Sequence, residues 1–419
     1  VAGIVGYYNS SNASITMTAC VNTGDITSLQ GTYTEGGLNS NKYTYNDSIS
    51  STGVGIDNVG FTFGTGGIIG AYTGSITIES CRNTGKIIGG HNVGGIIGLH
   101  DGASENIATL TIKNCANTGY VLSNSGYWGE DEGNLDGNKS RGVRQSIFGY
   151  VGGLVGLTGQ YSILKMFASY NTGEIVSYSN IAGGLVGAVG ALYQPKGEKN
   201  KILTGGRSSI VYCYNTGEVK VGGTFPKYTK TYDSGRENYG GSIGGGFVGI
   251  VGDIQISQSY NAGNVWQFGI IAYGGSWQVR AGGIVGQSQP TKGGYVLFDN
   301  LYNVGTIYVR SIEDWFTLFA TWYLHEEARY GSAISPYCDT EDDAGRIYAT
   351  QCYSINNCVS SHIPQYIKAN VENNNYTYYK NFTNASAIEW ANNEAYDEYY
   401  RNSGVVFSWG SSKPKLVQT

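Results

Sequence analysis

The sequence predicts an all-β protein, a parallel β-helix or β-solenoid of seven repeats with a small α+β cap at its C-terminal end. Three observations point there. A Cys-x-Asn-Thr-Gly-x-Ile/Val motif recurs seven times. A Gly-Gly-apolar-apolar-Gly motif precedes each copy. The 419 residues include 65 Gly, far above the ~7% of ordinary proteins, with no collagen period and with ample apolar residues.

The copies are centred on Asn22, Asn83, Asn117, Asn171, Asn215, Asn261 and Asn303. Gly24, Gly85, Gly119, Gly173, Gly217, Gly263 and Gly305 follow two residues later. Asn and Gly do not change among the copies. The Asn residues are 61, 34, 54, 44, 46 and 42 positions apart. The shortest spacing is the core unit, and the others carry insertions, as solenoids tolerate. A seven-bladed β-propeller is the alternative, because units of this length and the number seven fit one too.

Read with period two, Cys81, Asn83, Gly85 and Ile87 share one face and Arg82, Thr84 and Lys86 the other. That is a strand with one buried side. The position after the Gly holds Asp25, Lys86, Tyr120, Glu174, Glu218, Asn264 and Thr306, mostly polar and suited to solvent. The first motif position holds Cys20, Cys81, Cys115, Ser169, Cys213, Ser259 and Leu301. Because Ser and Leu replace Cys there, these cysteines read as small buried side chains, rather than as disulfides between neighbours such as Cys81 and Cys115. A buried Asn must satisfy its amide, either in a ladder with the next Asn or by bonding a turn's backbone. The Gly implies a bend, a bulge or a close backbone approach. The Gly-Gly motif, as in Gly66–Gly70, Gly94–Gly98 and Gly152–Gly156, reads as very short buried strands between tight turns. It is not a dinucleotide loop, since no long helix follows any copy.

Residues 1–308 therefore read as one array. The chain opens inside a motif at Val1-Ala2-Gly3-Ile4-Val5-Gly6, so the array is expected to continue a longer protein. Residues 27–65, 122–148, 191–210 and 222–241 are insertions, the third and fourth basic. Residues 309–419 read as the cap. Ser311 to Arg329 predicts an amphipathic helix, with Ile312, Trp315, Phe316, Phe319, Trp322 and Tyr323 at three-and-four spacing. A strand follows at Ile347–Tyr353, a second helix at Ser386–Tyr400, and a last strand at Val405–Trp409. Cys338, Cys352 and Cys358 lie outside the array and allow one disulfide.

The formal net charge of −5 argues against nucleic acid and anionic membrane as main partners. No run of ~18 apolar residues marks a transmembrane helix. The Gly, Asn, Ser and Tyr bias, with 35 Tyr, is that of extracellular bacterial β proteins.

Catalytic patterns fail their context. His325-Glu326-Glu327-Ala328-Arg329 has the shape of a zinc-protease motif but carries Arg in place of the second His, and Arg cannot ligate Zn²⁺. Ser162-Ile163-Leu164-Lys165 has Ser-x-x-Lys spacing without its companion motifs. Glu132, Asn134 and Asp136, with Gly137, occupy the first positions of a Ca²⁺ loop, but Val143 stands where the bidentate Glu belongs. The two readings are a Ca²⁺ site and a solvated loop, and Asp339, Glu341, Asp342 and Asp343 form a similar acidic run. No other cofactor is expected. The residue before the repeat Asn becomes Tyr170, Tyr214, Tyr260 and Tyr302 in the last four copies. In-register stacking makes these an outward column, either a surface for sugar rings or a partner protein, or a structural ladder covered by insertions.

The paired motifs resemble the GLUG repeat of bacterial surface proteins, whose Gly-Leu-x-Gly core matches Gly153-Leu154-Val155-Gly156 and Gly184-Leu185-Val186-Gly187. The tail resembles the end of such arrays in Cys352-Tyr353, the segment near Trp390 and Lys413-Pro414-Lys415-Leu416, with Lys in place of the usual Tyr. The repeat occurs in adhesin-like proteins and in some immunoglobulin A peptidases. The resemblance implies a β-solenoid at a bacterial cell surface and no catalytic residue. Three functions follow as expectations. The first is a non-enzymatic structural or adhesive element that contacts surface proteins, glycans or copies of itself. The second is a glycan-binding or glycan-cleaving β-helix, and the third is the non-catalytic part of a large peptidase.

Overall fold

The protein is a parallel β-solenoid, described by a computed structural model. The described residues are 1–9, 14–28, 64–90, 92–102, 107–123, 150–159, 161–177, 181–190, 208–221, 243–269, 279–288, 290, 294–311, 329–332, 335, 346–350, 352–354, 405–409 and 414–418. Each coil contributes to four sheets in a fixed order. Within the coil of residues 65–89, Thr65–Gly66 lies in sheet 1 and Ile69–Thr73 in sheet 2. Ile76–Glu79 and Arg82–Asn83 lie in sheet 3, and Ile87–Gly89 in sheet 4. Each strand then pairs in parallel with its counterpart one coil away, as Ile69 does with Val5 and Ile97, and Asn83 with Asn22 and Asn117. Pairing between coils rather than within a unit excludes the propeller, whose blades are separate sheets.

The lumen is filled by columns of identical or near-identical side chains. Ile68, Ile96, Leu154, Leu185, Phe247 and Ile284 form one at the Gly-Gly corner, and Val5, Ile69, Ile97, Val155, Val186, Val248 and Val285 another. The motif alternates between buried and exposed positions as the sequence implied, but it is not one strand. Arg82–Asn83 ends sheet 3, the chain turns at Gly85, and Ile87 begins sheet 4.

That corner is held by the asparagines. Each Asn Nδ2 donates to the carbonyl of its own Gly, as Asn117 does to Gly119 at 2.8 Å. Each of the first six also donates to Oδ1 of the Asn in the next coil. The bonds run Asn22 to Asn83 (2.7 Å), Asn83 to Asn117 (2.8 Å), Asn117 to Asn171 (2.7 Å), Asn171 to Asn215 (2.8 Å), Asn215 to Asn261 (2.9 Å) and Asn261 to Asn303 (2.9 Å). Both of the expected solutions for the buried amide are therefore used at once. The Gly of the motif sits against backbone: a Cβ on Gly173 would stand 1.9 Å from the Gly119 carbonyl oxygen.

The three glycines of the Gly-Gly motif have separate reasons. In the 94–98 copy, a Cβ on Gly94 would strike the Ile97 carbonyl oxygen at 2.0 Å within the same corner. One on Gly95 would strike the Gly153 carbonyl oxygen and the Asn117 side chain. One on Gly98 would strike the Thr65 nitrogen, because sheets 1 and 2 approach at backbone distance. Outside that approach, Tyr150, Ile181 and Ile243 of sheet 1 join Leu99, Leu157 and Ala188 of sheet 2 in a second apolar cluster.

Sheet 3 bends once per coil at a residue with positive φ immediately before the Cys position. These residues are Ala19, Ser80, Asn114, Ala168, Tyr212, Gln258 and Asn300, with φ between 47° and 56°. The Cys or Ser after the bend closes it. Ser169 Oγ donates to the Phe167 carbonyl at 2.8 Å and accepts from the Cys115 backbone N–H at 3.0 Å. Cys115 Sγ takes the same role towards the Lys113 carbonyl and the Cys81 backbone N–H. This explains the exchange of Cys with Ser: both offer one donor and one acceptor. Cys20, Cys81, Cys115 and Cys213 are free thiols.

Past residue 308 the sheets of the array continue. The strand Ile307–Ser311 crosses that boundary, Arg329–Ser332 adds to sheet 1, and Arg346–Thr350 and Tyr353–Ser354 add to sheet 3. An eighth coil therefore follows, in which Tyr353 pairs with Tyr302 and Ser354 takes the register of Asn303. The helix read over Ser311–Arg329 has both its end residues in strands. Its residues 312–328 lie outside the described residues, as do Ser386–Tyr400. No helix occurs among the described residues. Cys352 is buried in the lumen, and Cys338 and Cys358, with which it was expected to allow one disulfide, lie outside the described residues. Val405–Trp409 forms an antiparallel hairpin with Pro414–Gln418.

Two stability outcomes follow. Asn117→Ala removes the acceptor for Asn83 and the donor to Asn171 and Gly119, and destabilises the fold by about 3 kcal/mol. Asn303→Ala, where the ladder ends against Ser354, has a smaller effect, and chemical denaturation compares them. Ser80→Gly relieves a left-handed φ of 56° at an exposed position and stabilises by up to about 1 kcal/mol, whereas Ser80→Val destabilises by more than that.

Candidate interaction surface

The in-register stacking places the predicted tyrosines in one column on the outer face of sheet 3, with Tyr170 opposite Tyr214, Tyr214 opposite Tyr260 and Tyr260 opposite Tyr302. Tyr170 and Tyr214 stack at 4.8 Å between centroids and 2° between planes, and Tyr214 and Tyr260 at 5.2 Å and 6°. The column is not uniformly open. Tyr170 and Tyr214 are half-buried, whereas Tyr260 is 3% and Tyr302 6% exposed. The latter two lie in an apolar cluster with Val211 and Tyr212, against which Phe167, Ala262 and Val304 pack. Burial, and then the neighbouring Tyr170, pushes the Tyr214 phenol well above its ordinary range, so it stays protonated.

Stacking decides what this column can bind. A sugar ring packs on an aromatic face, and the faces between Tyr170, Tyr214 and Tyr260 are already occupied by one another. Ring edges remain, together with the face of Tyr170 that looks along the column towards the small side chain of Ala116.

Beside the tyrosines runs a column of Thr84, Thr118, Thr172 and Thr216, and beyond the corner lies a charged cluster on sheet 4. Lys220 Nζ meets Glu174 Oε1 at 2.5 Å and Glu218 Oε2 at 3.0 Å. The hydrogen bond from Lys220 holds the Glu218 carboxyl below its usual range, and that to Glu174 raises Lys220. One coil on, Trp266 and Tyr308 stack with centroids 3.7 Å apart. Tyr170, Thr172 and Glu174, with Tyr214, Thr216, Glu218 and Lys220, thus form one patch across two neighbouring coils.

Sequence reasoning missed a buried polar group. His100 lies in sheet 2 beneath Tyr72 and is 0% exposed. Its Nδ1 contacts Ser162 Oγ at 2.6 Å and its Nε2 the Gly74 carbonyl at 2.7 Å. The carbonyl fixes Nε2 as the donor, so Nδ1 accepts from the Ser162 hydroxyl. The serine of the Ser-x-x-Lys pattern therefore donates to a histidine that is itself pinned to backbone, an arrangement that secures the turn between sheets 2 and 3. Lys165 is an exposed residue of the same strand. Only His100's presence among the four histidines was available as a signal. The candidate Ca²⁺ residues Glu132, Asn134 and Asp136, the acidic run at 339–343 and His325 lie outside the described residues. Among the described residues no group of three or more His, Cys, Asp or Glu is arranged around a metal position, and no helix is long and apolar enough to cross a membrane.

Comparison of the chain with protein-family models, with curated proteins and with solved structures gave no match.

Burial lowers the His100 pKa from 6.5 to about 4, so the folded protein holds this imidazole neutral. The stability it contributes is complete above pH 6.5 and is lost as pH falls through the folded value near 4. The loss over that window reaches about 3 kcal/mol. Thermal unfolding of the wild type and of His100→Gln across pH 7 to 4 measures it, and the variant lacks this part of the pH dependence.

Proposed function

We propose that the chain is a non-enzymatic structural or adhesive element of an extracellular or bacterial cell-surface protein, a rigid solenoid that presents side-chain columns to proteins or glycans. The observation that carries this reading is the arrangement of polar and aromatic groups. They lie in flat outward columns, and the Ser162–His100 contact is enclosed and tied to backbone. A surface of repeated columns suits contact with an extended or repetitive partner, where each coil adds a similar small contribution. The resemblance of both repeat motifs to GLUG repeats supports a surface location, as does a composition rich in Gly and Tyr and poor in charge.

The contact residues in this proposal are Tyr170 and Tyr214, with Thr172, Thr216, Glu174, Glu218 and Lys220 around them. Tyr260 and Tyr302 continue the column as buried members. The Trp266–Tyr308 stack on sheet 4 favours glycans as a second class of partner, since aromatic platforms beside carboxylates suit sugar hydroxyls.

Labelled protein applied to arrays of polysaccharides and extracellular-matrix proteins tests this reading. Saturable binding to at least one ligand is expected, and a Tyr170→Ser/Tyr214→Ser variant weakens it about tenfold or more while retaining the wild-type far-ultraviolet dichroism. Release of new reducing ends from a bound polysaccharide would instead make the chain a glycan-cleaving enzyme.

A further inference from the structure

The tyrosine column on the outer face of sheet 3 stops at one small residue. Followed back along the axis, Tyr214 pairs with Tyr170, Tyr170 with Ala116, and Ala116 with Arg82. Tyr170 and Tyr214 show that the column accepts one ring per coil, with centroids 4.8 Å apart. In the coil of Ala116 that place holds only a methyl group. One ring face of Tyr170 is covered by Tyr214, and the other meets no ring or cation among the described residues. Arg82 stands beyond Ala116, two coils from Tyr170, or roughly 9.6 Å at twice the interstrand spacing. Its side chain is exposed and has no ion pair among the described residues. The result is a notch, with Ala116 as the floor, the face of Tyr170 as one wall and a guanidinium as the other. Ala116 is buried, so the opening is narrow, and the long Arg82 chain with its many rotamers is the wall that moves. Thr118, two residues on and on the same outward face, is half-buried and brings a hydroxyl to the edge.

The charges around the notch favour an anion. In the coils of Arg82 and Ala116, the described charged residues of sheet 3 and its corner are Glu79, Arg82, Lys86 and Lys113. Glu79 is paired with Lys113 at 3.0 Å, and Lys86 lies over the Tyr120 ring at 5.2 Å. Arg82 is the cation of this group without a partner. Further along the axis the carboxylates Glu174 and Glu218 already share Lys220, so that end of the face offers an anion nothing.

An aromatic face opposite a guanidinium, with a hydroxyl beside them, suits a ring that has an apolar face and carries a carboxylate. A pyranose packs the C–H groups of one face on an aromatic ring. A carboxylate accepts two parallel N–H bonds from a guanidinium. A uronic acid has both features. A neutral hexose lacks the carboxylate, and an inorganic anion or an acidic side chain of a protein lacks the ring. We infer that the notch between Arg82 and Tyr170 is a subsite for one uronic acid residue of an acidic polysaccharide. Its ring takes the place that a tyrosine holds in the following coils, its apolar face lies on Tyr170, its carboxylate pairs with Arg82, and a ring hydroxyl meets Thr118. This rests on the adhesive reading of the tyrosine face and narrows it to a ligand class.

The test measures binding of the full chain to two labelled oligosaccharides of equal length, one of 1,4-linked glucuronic acid and one of 1,4-linked glucose, by fluorescence anisotropy. The glucuronic acid oligomer binds more tightly, and added salt weakens it. Arg82→Ala lowers its affinity about tenfold and leaves that of the glucose oligomer unchanged. Arg82→Lys recovers only part of the loss, because an ammonium cannot make the bidentate contact. Ala116→Tyr continues the tyrosine column into the notch, as the later coils do, and abolishes binding of the glucuronic acid oligomer while the midpoint of thermal unfolding is retained. Equal affinity for the two oligosaccharides, or full binding of the acidic one by Arg82→Ala or by Ala116→Tyr, overturns the inference. A chain that binds neither oligosaccharide but keeps a binding to proteins or other glycans that Tyr170→Ser/Tyr214→Ser weakens overturns the notch alone and leaves the adhesive surface standing.

Discussion

The structure depends on one repeated interaction, the hydrogen bond from each Asn Nδ2 to the Oδ1 of the Asn in the next coil. An amide has two N–H donors, and here one closes the corner within a coil while the other joins coils. The two requirements are met only when the Asn residues stand directly over one another. A slip of one residue leaves the amide unpaired in the lumen, where an unmet polar group costs a large share of a domain's net stability. The ladder therefore sets register for every other column, including those on the outer surface. The glycines complete the constraint: with carbonyl oxygens about 2 Å from any added Cβ, coils cannot shift sideways to accommodate a side chain.

The same packing explains where the chain tolerates additions. Among the described residues no insertion interrupts the Gly-Gly corner or the Asn-x-Gly corner. The long ones, 29–63, 124–149 and 222–242, all lie between sheet 4 and sheet 1, and 191–207 lies between sheets 2 and 3. At the two uninterrupted corners backbone meets backbone or an Asn side chain. At the other two the turn only has to deliver the chain to its next strand, so its length is free. The irregular spacing of the Asn residues in the sequence is the trace of that difference.

Period-two burial and the invariance of Asn and Gly were legible because each repeats and because each has one physical reason. The left-handed bend before the Cys position left no such trace. Its residues are Ala, Ser, Asn, Ala, Tyr, Gln and Asn, with no glycine to announce a positive φ. The Cys-to-Ser exchange was read as a matter of size, whereas the shared property is a donor and an acceptor on one atom. The eighth coil escaped notice because Ser354 replaces the Asn that defined the repeat. For the candidate surface, the sequence placed four tyrosines in one column but not their burial. That depends on Tyr212, whose position in the bend turns it against Phe167 and the column.

In-register stacking also restricts how such a surface recognises anything. Each outward aromatic residue has neighbours above and below at one coil's distance, so stabilising the column uses up ring faces that would otherwise meet a ligand. What remains is a row of edges, a parallel row of threonines, and charges already paired in Glu174, Lys220 and Glu218. No single element of this set binds strongly, since exposed ion pairs and ring edges are each worth about 1 kcal/mol or less. Affinity must come from repetition along the axis, so a partner whose own repeat matches the coil rise gains at every step while a compact small molecule gains once. A solenoid surface of this kind therefore selects for extended partners by geometry before any particular side chain contributes specificity.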